Sequence, residues 1–300
     1  PPAVLPRHMS PLVVFAQERT GSNLLFDMFD KWNILAEEKD HPYDVEIWPL
    51  YELFANYDHE DWRLMGYAFK KLSKTCRLNN PKDLSQQNLV PSNNTTVFEN
   101  MELLYRNRRS DPQSLLKALV RAPSVASNGA FFAFKVFCSH FKHNAFGGDI
   151  GKLIRMVRSD TISIDTKPKF IVLWRRRMIE SFVSFQLAMA TGQWTFHNKK
   201  AAPSPTTIKI DKFRLVGYVN QQRAYYMSVK RALEAEGDVD YLILEYGRDL
   251  LDERDQLATI KTLEREVLET NGQSLAEATI AHLSFRKQLT QDLAWLVENW

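Results

Sequence analysis

The sequence predicts an α/β fold in three layers, a central parallel sheet with helices on both faces, and two observations carry this. Four runs, LVVFA at 12–16, FFAFKVF at 131–137, KFIVLW at 169–174 and YLILEY at 241–246, are almost wholly apolar, which is the pattern of strands buried on both faces. Segments with helical periodicity separate them, as in a sheet whose parallel strands are joined by crossover helices. At 300 residues and 44% hydrophobic, the chain has apolar surface for a substantial core. Residues 1–300 read as one domain with a flexible start over 1–10, without internal repeat or linker.

The elements follow in order. The first strand, 12–16, breaks off into the polar turn QERTGSN at 17–23. Beyond it, Leu24, Leu25, Met28, Phe29 and Trp32 fall on one face of an amphipathic helix. Residues 40–73 are aromatic-rich and read as helices over the core. In them Trp48, Tyr51, Phe54, Tyr57 and Trp62 are either core or a stacking wall for an acceptor. Residues 74–96, rich in Asn, Pro and Ser, read as a long loop or lid, and the Asn-x-Thr sequons there have no role in a cytosolic protein. The second strand is 131–137 and the third 169–174. A helix over 178–189, a Pro-containing loop at 197–207 and a long helix over 212–236, closed by Gly237, lead to the fourth strand at 241–246. Leu257, Ile260, Leu263 and Val267 then mark a last amphipathic helix that stops at Asn271-Gly272.

Composition removes several classes of function. A formal net charge of +3 and a pI near 8.8 fall short of the basic surface that nucleic-acid binding requires, so any anion must be bound locally. No run of eighteen apolar residues occurs, and PPAVLPRHMS lacks the apolar centre of a signal peptide. A cytoplasmic protein with no membrane span is the expectation. The two cysteines, Cys76 and Cys138, have no CxxC spacing. Cys138, His140 and His143 lack a recognisable fourth ligand, so no metal site is expected.

Two constellations carry chemistry. In the turn Glu18-Arg19-Thr20-Gly21-Ser22-Asn23, a strand feeds a helix whose first N–H groups and dipole favour an anion. Gly permits close approach of the backbone, the hydroxyls donate, and Arg19 adds a full charge. The turn also reads as an ordinary strand-to-helix connection capped by Ser22, and GxxxxGK[ST] is absent. The second constellation is LWRRRMIESFVSFQ at 173–186. It places three arginines at the carboxyl end of a strand, where open α/β sheets bind ligands, with Ser181 and Ser184 on the helix beyond. Cations at the positive end of a helix are disfavoured unless an anion joins them. Lys135 is the lone charge of its strand and is expected to reach the surface near the site, because burying an unpaired ammonium is costly.

Together these stretches resemble the sulfotransferases that use 3′-phosphoadenosine 5′-phosphosulfate (PAPS), especially the bacterial trehalose-sulfotransferase and Nod-factor types. QERTGSNLL at 17–25 is similar to that family's 5′-phosphosulfate loop, and WRRRMIESFVSFQLAMATGQW at 174–194 to its 3′-phosphate motif. The resemblance implies a P-loop-like sulfotransferase fold and transfer of a sulfuryl group from PAPS to a hydroxyl of a carbohydrate or other polar small molecule. Adenosine 3′,5′-bisphosphate (PAP) would be released.

Carried onto this sequence, the resemblance gives Arg19, Thr20, Gly21, Ser22 and Asn23 to the 5′-phosphosulfate. Ser184 goes to the 3′-phosphate, with Arg175 or Arg176 as its partner according to branch. FRKQ at 285–288 is similar to a C-terminal basic element and adds Lys287. Lys135 is implied to aid the leaving oxygens. A base is implied in ILAEEKD at 34–40, where Glu38 is favoured over Glu37 and Asp40, and His140 is the alternative from the cytosolic branch. The competing readings are a P-loop-type nucleotide-dependent kinase and a non-catalytic anion- or glycan-binding protein. A homodimer is left open.

Overall fold

A computed structural model of the chain describes residues 9–38, 46–50, 52–54, 104–120, 130–141, 146–159, 167–192, 207–237, 239–270 and 274–283. The expected loop or lid at 74–96, Asp40, Tyr51, Tyr57, Trp62, His143, Lys287 and residues 1–8 lie outside them. So do the side chains of Glu37, Glu38 and Trp48.

The first strand, β1, is Met9–Phe15 and every residue in it is buried. It therefore begins inside the stretch expected to be a flexible start. Its side chains alternate between two cores, as the period of two requires. Val13 and Phe15 enter a cluster with α2 (Pro112–Val120), α4 (Ile150–Arg158) and α6 (Lys212–Ala235). Leu12, Val14 and Ala16 enter the opposite one, with α1 (Ser22–Glu38), α7 (Glu253–Thr262) and α8 (Ala276–Ala281). Burial on both faces explains why the strand reads as continuously apolar.

The sheet has five parallel strands in the order β2-β3-β1-β4-β5, where β2 is Glu46–Pro49, β3 Ala130–Val136, β4 Lys169–Trp174 and β5 Tyr241–Glu245. The α/β fold with helices on both faces is as expected. The correction is β2, which lies in the stretch read as helical. It is a four-residue edge strand ending in Pro49, too short for its alternation to outweigh the helical spacing of the neighbouring aromatics. Phe54, just beyond it, is core: its ring meets Phe134 edge-on at 5.5 Å and Phe146 at 5.1 Å, so it forms no stacking wall.

Local chemistry sets the helix ends. Asp211 accepts from Phe213 N at 2.8 Å and Arg214 N at 3.2 Å to start α6, and Gly192 ends α5 (Met178–Thr191) in the left-handed region at φ 69°. The last amphipathic pattern is interrupted: α7 gives way to a π-type turn at Leu263–Val267. The extra residue of that turn brings Leu263, Glu264 and Val267 all inward. A short helix, α3 (Cys138–Phe141), follows β3.

Because all strands are parallel, their carboxyl ends share one edge. The chain leaves β1 for the β3 and β2 side and leaves β4 for β5 on the other, so the order reverses between β1 and β4. A crevice at that position is where open α/β sheets place ligands.

Candidate anion site at the carboxyl edge of the sheet

Between Phe15 and Ser22 the backbone turns through two left-handed residues, Arg19 at φ 66° and Gly21 at φ 87°. Thr20 closes the turn, its N and Oγ1 both donating to Gln17 O, at 3.3 and 2.7 Å. Glycine at 21 meets a further demand: a Cβ there would lie 2.3 Å from Cδ2 and 2.6 Å from Cε2 of Tyr246. The close approach that the sequence assigned to a ligand is thus made in part by a tyrosine ring. Arginine at 19 has no such excuse, and holding a non-glycine residue left-handed costs on the order of 1–2 kcal/mol.

That conformation has a geometric result: neighbouring side chains leave the turn on opposite sides. Arg19 Nε donates to Ser184 Oγ at 2.9 Å, across 165 residues of sequence and from β1's turn to α5 beyond β4. The two motifs therefore meet at the reversal of strand order. Arg175 joins them from the end of β4, donating to Arg19 O at 3.3 Å and to Glu180 Oε2 at 2.5 Å. Its guanidinium sits 4.9 Å from the centre of the Tyr246 ring. Arg176 and Arg177 are exposed, the former giving its backbone N–H to Glu245 Oε1 at 3.1 Å and the latter its guanidinium to Glu180 at 3.1 Å. Of the two arginines open from sequence, Arg175 is the one turned toward Arg19.

The flank is electropositive and rich in donors. Burial, then the neighbouring Arg175, pulls the Arg19 guanidinium down to about 10, still charged at neutral pH. Burial raises the Glu180 carboxyl, but hydrogen bonds from Arg175 and Arg177 outweigh it and hold Glu180 below the usual range. No acidic residue occupies the first turn of α1. Ser181 Oγ lies 2.8 Å from Tyr218 OH and donates to Glu18 O at 3.4 Å. The amide Nε2 of Gln17, buried in the same turn, has no hydrogen-bond partner among the described residues. A guanidinium, hydroxyls, a helix start and an orphaned buried donor fit an anionic oxygen ligand such as a phosphate.

The other flank, toward β3 and β2, has mixed charge. Lys135 does not surface as expected: it is 2% exposed. Its position in β3, opposite Val14, points it to the α1 face, where Nζ pairs with Glu52 Oε1 at 3.2 Å and donates to Asn23 Oδ1. The burial cost is met by a carboxylate that sequence reasoning did not identify. Asn23 thus serves Lys135, and it lies in the first turn of α1 beside Ser22.

His140 is buried on α3. Its Nδ1 accepts from Phe137 N at 3.2 Å, and Nε2 faces Glu52 Oε2 at 3.9 Å. Burial dominates and pulls His140 down to about 4, leaving it a neutral and weakly basic imidazole. Ser139 Oγ donates to Glu18 Oε1 at 3.1 Å. Burial lifts the Glu18 carboxyl above its usual range, against hydrogen bonds from its own backbone and from Ser139.

Of the remaining base candidates, Asp40 lies outside the described residues, and the backbone of Glu37 and Glu38 lies away from the turn. Helix α1 runs unbroken from Ser22 to Glu38, so Glu37 and Glu38 stand roughly 22–24 Å along its axis from Ser22 at 1.5 Å per residue. Glu18, Glu52, Glu180, Tyr218 and Tyr246 were missed. A signal existed for Glu18, which adjoins the anion turn, and for Glu180, three residues after an arginine on a helix. Nothing in the sequence near Glu52 marks it. Among the described residues, no three His, Cys, Asp or Glu side chains cluster as metal ligands, and no helix is long and apolar enough to cross a membrane.

No known family profile and no curated protein matches the chain. Among solved structures, the sulfotransferase domain from the Synechococcus PCC 7002 olefin synthase matches with a TM-score of 0.44 and 15% identity, over 95% of this chain and 80% of that one.

Proposed function

We propose that the chain is a sulfotransferase that moves a sulfuryl group from PAPS to a hydroxyl of a carbohydrate or other polar small molecule and releases PAP. The observation that carries this reading is the contact of Arg19 with Ser184 at the reversal of strand order. It joins the two stretches that resemble the 5′ and 3′ anion motifs of one nucleotide. PAPS, when bound, supplies the activated sulfuryl group.

The protein's part is positioning and charge, since in such in-line displacements the leaving oxygens gain charge and aligned cations stabilise them. Arg19 with Thr20, Gly21 and Ser22 would hold the 5′ end, and Ser184 the 3′-phosphate with Arg175 alongside. Lys135 lies close to the helix start through Asn23, where its charge would favour the electron density that gathers on the phosphate or sulfuryl oxygens.

The kinase reading finds less support. The turn has no lysine, and β3 and β4 end in Val136 and Trp174 instead of a carboxylate for Mg²⁺. Calorimetric titration with PAP and 5′-AMP without added metal, and with ATP both without and with Mg²⁺, tests the proposal. Micromolar binding that requires the 3′-phosphate is expected. Tighter binding of Mg-ATP would transfer the chain to the kinases, and PAP binding without turnover would leave a binding protein.

A further inference from the structure

The left-handed backbone at Arg19 separates two adjacent side chains by charge. Arg19 goes to Ser184 on the β4 flank, while Glu18 goes to Ser139 on the β3 flank. A carboxylate and an anion-binding guanidinium consequently leave one turn, on the two sides of the central strand. An acceptor oxygen that reached a sulfuryl group held at Arg19 from the β3 flank would meet Glu18. Glu37 and Glu38 stand at the far end of α1, and His140, pulled down to about 4 by burial, is a weak proton acceptor whose Nδ1 is already engaged by the backbone.

We propose that Glu18 is the general base of the transfer, an assignment that rests on the sulfotransferase reading. The acceptor oxygen forms its bond to sulfur as the bond from sulfur to the bridging phosphate oxygen breaks. The electron pair of that bond leaves with PAP, and the acceptor proton passes to the Glu18 carboxylate and then to solvent.

The surroundings of Glu18 keep it suited to this step. Ser139 from α3 donates to it and Lys135 from β3 attracts its charge, both of which favour the carboxylate, while Glu52 beyond β2 repels it. From α6 it faces Tyr218, Tyr225 and Tyr226, all neutral because burial holds their phenols above the usual range. Burial, the largest influence, lifts Glu18 toward the working pH, where a base is most effective. Glu52 thereby has a second part, as the charge that offsets Lys135 and keeps Glu18 from becoming too weak a base.

The test uses PAPS alone, with water as the acceptor, and follows PAP release against pH beside PAP binding by calorimetry. The parent is expected to release PAP with an acidic limb above the ordinary glutamate range. Glu18→Gln is expected to retain PAP affinity within about twofold and to lose release by about a hundredfold or more, together with the limb; Glu18→Asp recovers part of the rate. Two further variants shift the limb in opposite directions. Glu52→Gln moves it to lower pH, because a charge that repels Glu18 is removed while the attraction of Lys135 remains. Ser139→Ala moves it to higher pH, because a bond favouring the carboxylate is lost. A merely structural role would produce neither shift. Parental release by Glu18→Gln, an acidic limb unmoved in both neighbours' variants, or a parent that binds PAPS and releases no PAP overturns the assignment. A parent that does not bind PAP overturns the sulfotransferase reading itself.

Discussion

At the scale of single residues, position 19 joins backbone strain to ligand chemistry. An arginine at φ 66° is disfavoured, and its retention of a hydrogen bond to Ser184 gives the strain a use. Arg19→Ala and Ser184→Ala are each expected to weaken PAP binding by on the order of 1.5–3 kcal/mol, the worth of a charge-assisted hydrogen bond, read by calorimetry. Arg19→Gly separates the two effects. It should bind PAP as poorly as Arg19→Ala yet be about 1 kcal/mol more stable than that variant in urea, because glycine adopts a left-handed conformation without the steric penalty. Equal stability of the two would show that the turn relaxes once the guanidinium is gone.

Among the elements, the packing of α1 against the C-terminal part of the chain depends on one buried carboxylate. Glu264, in the π-type turn, accepts from Trp32 Nε1 at 2.9 Å, Leu275 N at 2.8 Å and Ser274 Oγ at 2.6 Å. It therefore ties α1 to the segment that begins α8. Glu264→Ala would leave an indole N–H and a backbone N–H unpaired in a dry interface, a loss of about 3 kcal/mol. Glu264→Gln, which keeps an acceptor oxygen, should lose distinctly less. Chemical denaturation measures both, and an alanine variant within 1 kcal/mol of the parent would mean that water replaces the carboxylate. Since α1 begins at the anion turn, Glu264→Ala should also weaken PAP binding, more modestly than the loss of Arg19.

At the scale of the whole molecule, stability should depend on pH through His140. Its folded value of about 4 lies below the ordinary 6.5, so between these values the unfolded chain binds a proton that the folded chain does not. Stability is then complete above about 6.5 and falls as the pH drops toward 4. Glu18 runs in the opposite sense, because its folded value is raised: its contribution is present at low pH and is lost as pH rises past that value. The difference between parent and His140→Gln isolates the histidine. The parent should lose more stability than the variant between pH 7 and pH 5 in denaturant titrations, and equal losses would show that His140 is protonated in the folded state. The same low value makes His140 a weak proton acceptor at pH 7, weaker than a carboxylate whose value burial has raised, as at Glu18.

The α/β class, strands β1, β3, β4 and β5, and the two candidate stretches that meet through Arg19 and Ser184 were legible from sequence alone. Burial on both faces writes itself as unbroken apolar runs, and a strand-to-helix turn is a local object with local residues. β2 was not legible, because four edge residues carry too little pattern to compete with the aromatics around them. The partners of charged groups were not legible either. That Lys135 is buried on Glu52, that Arg175 and not Arg176 turns toward Arg19, and that Glu18 and Arg19 part to opposite flanks all depend on groups distant in the chain. Electrostatic pairing acts through space and has no period along the sequence. Sequence by itself determined which residues could bind an anion; only the tertiary structure decided which of them meet, because the parallel register of five strands brings their carboxyl ends to a single edge.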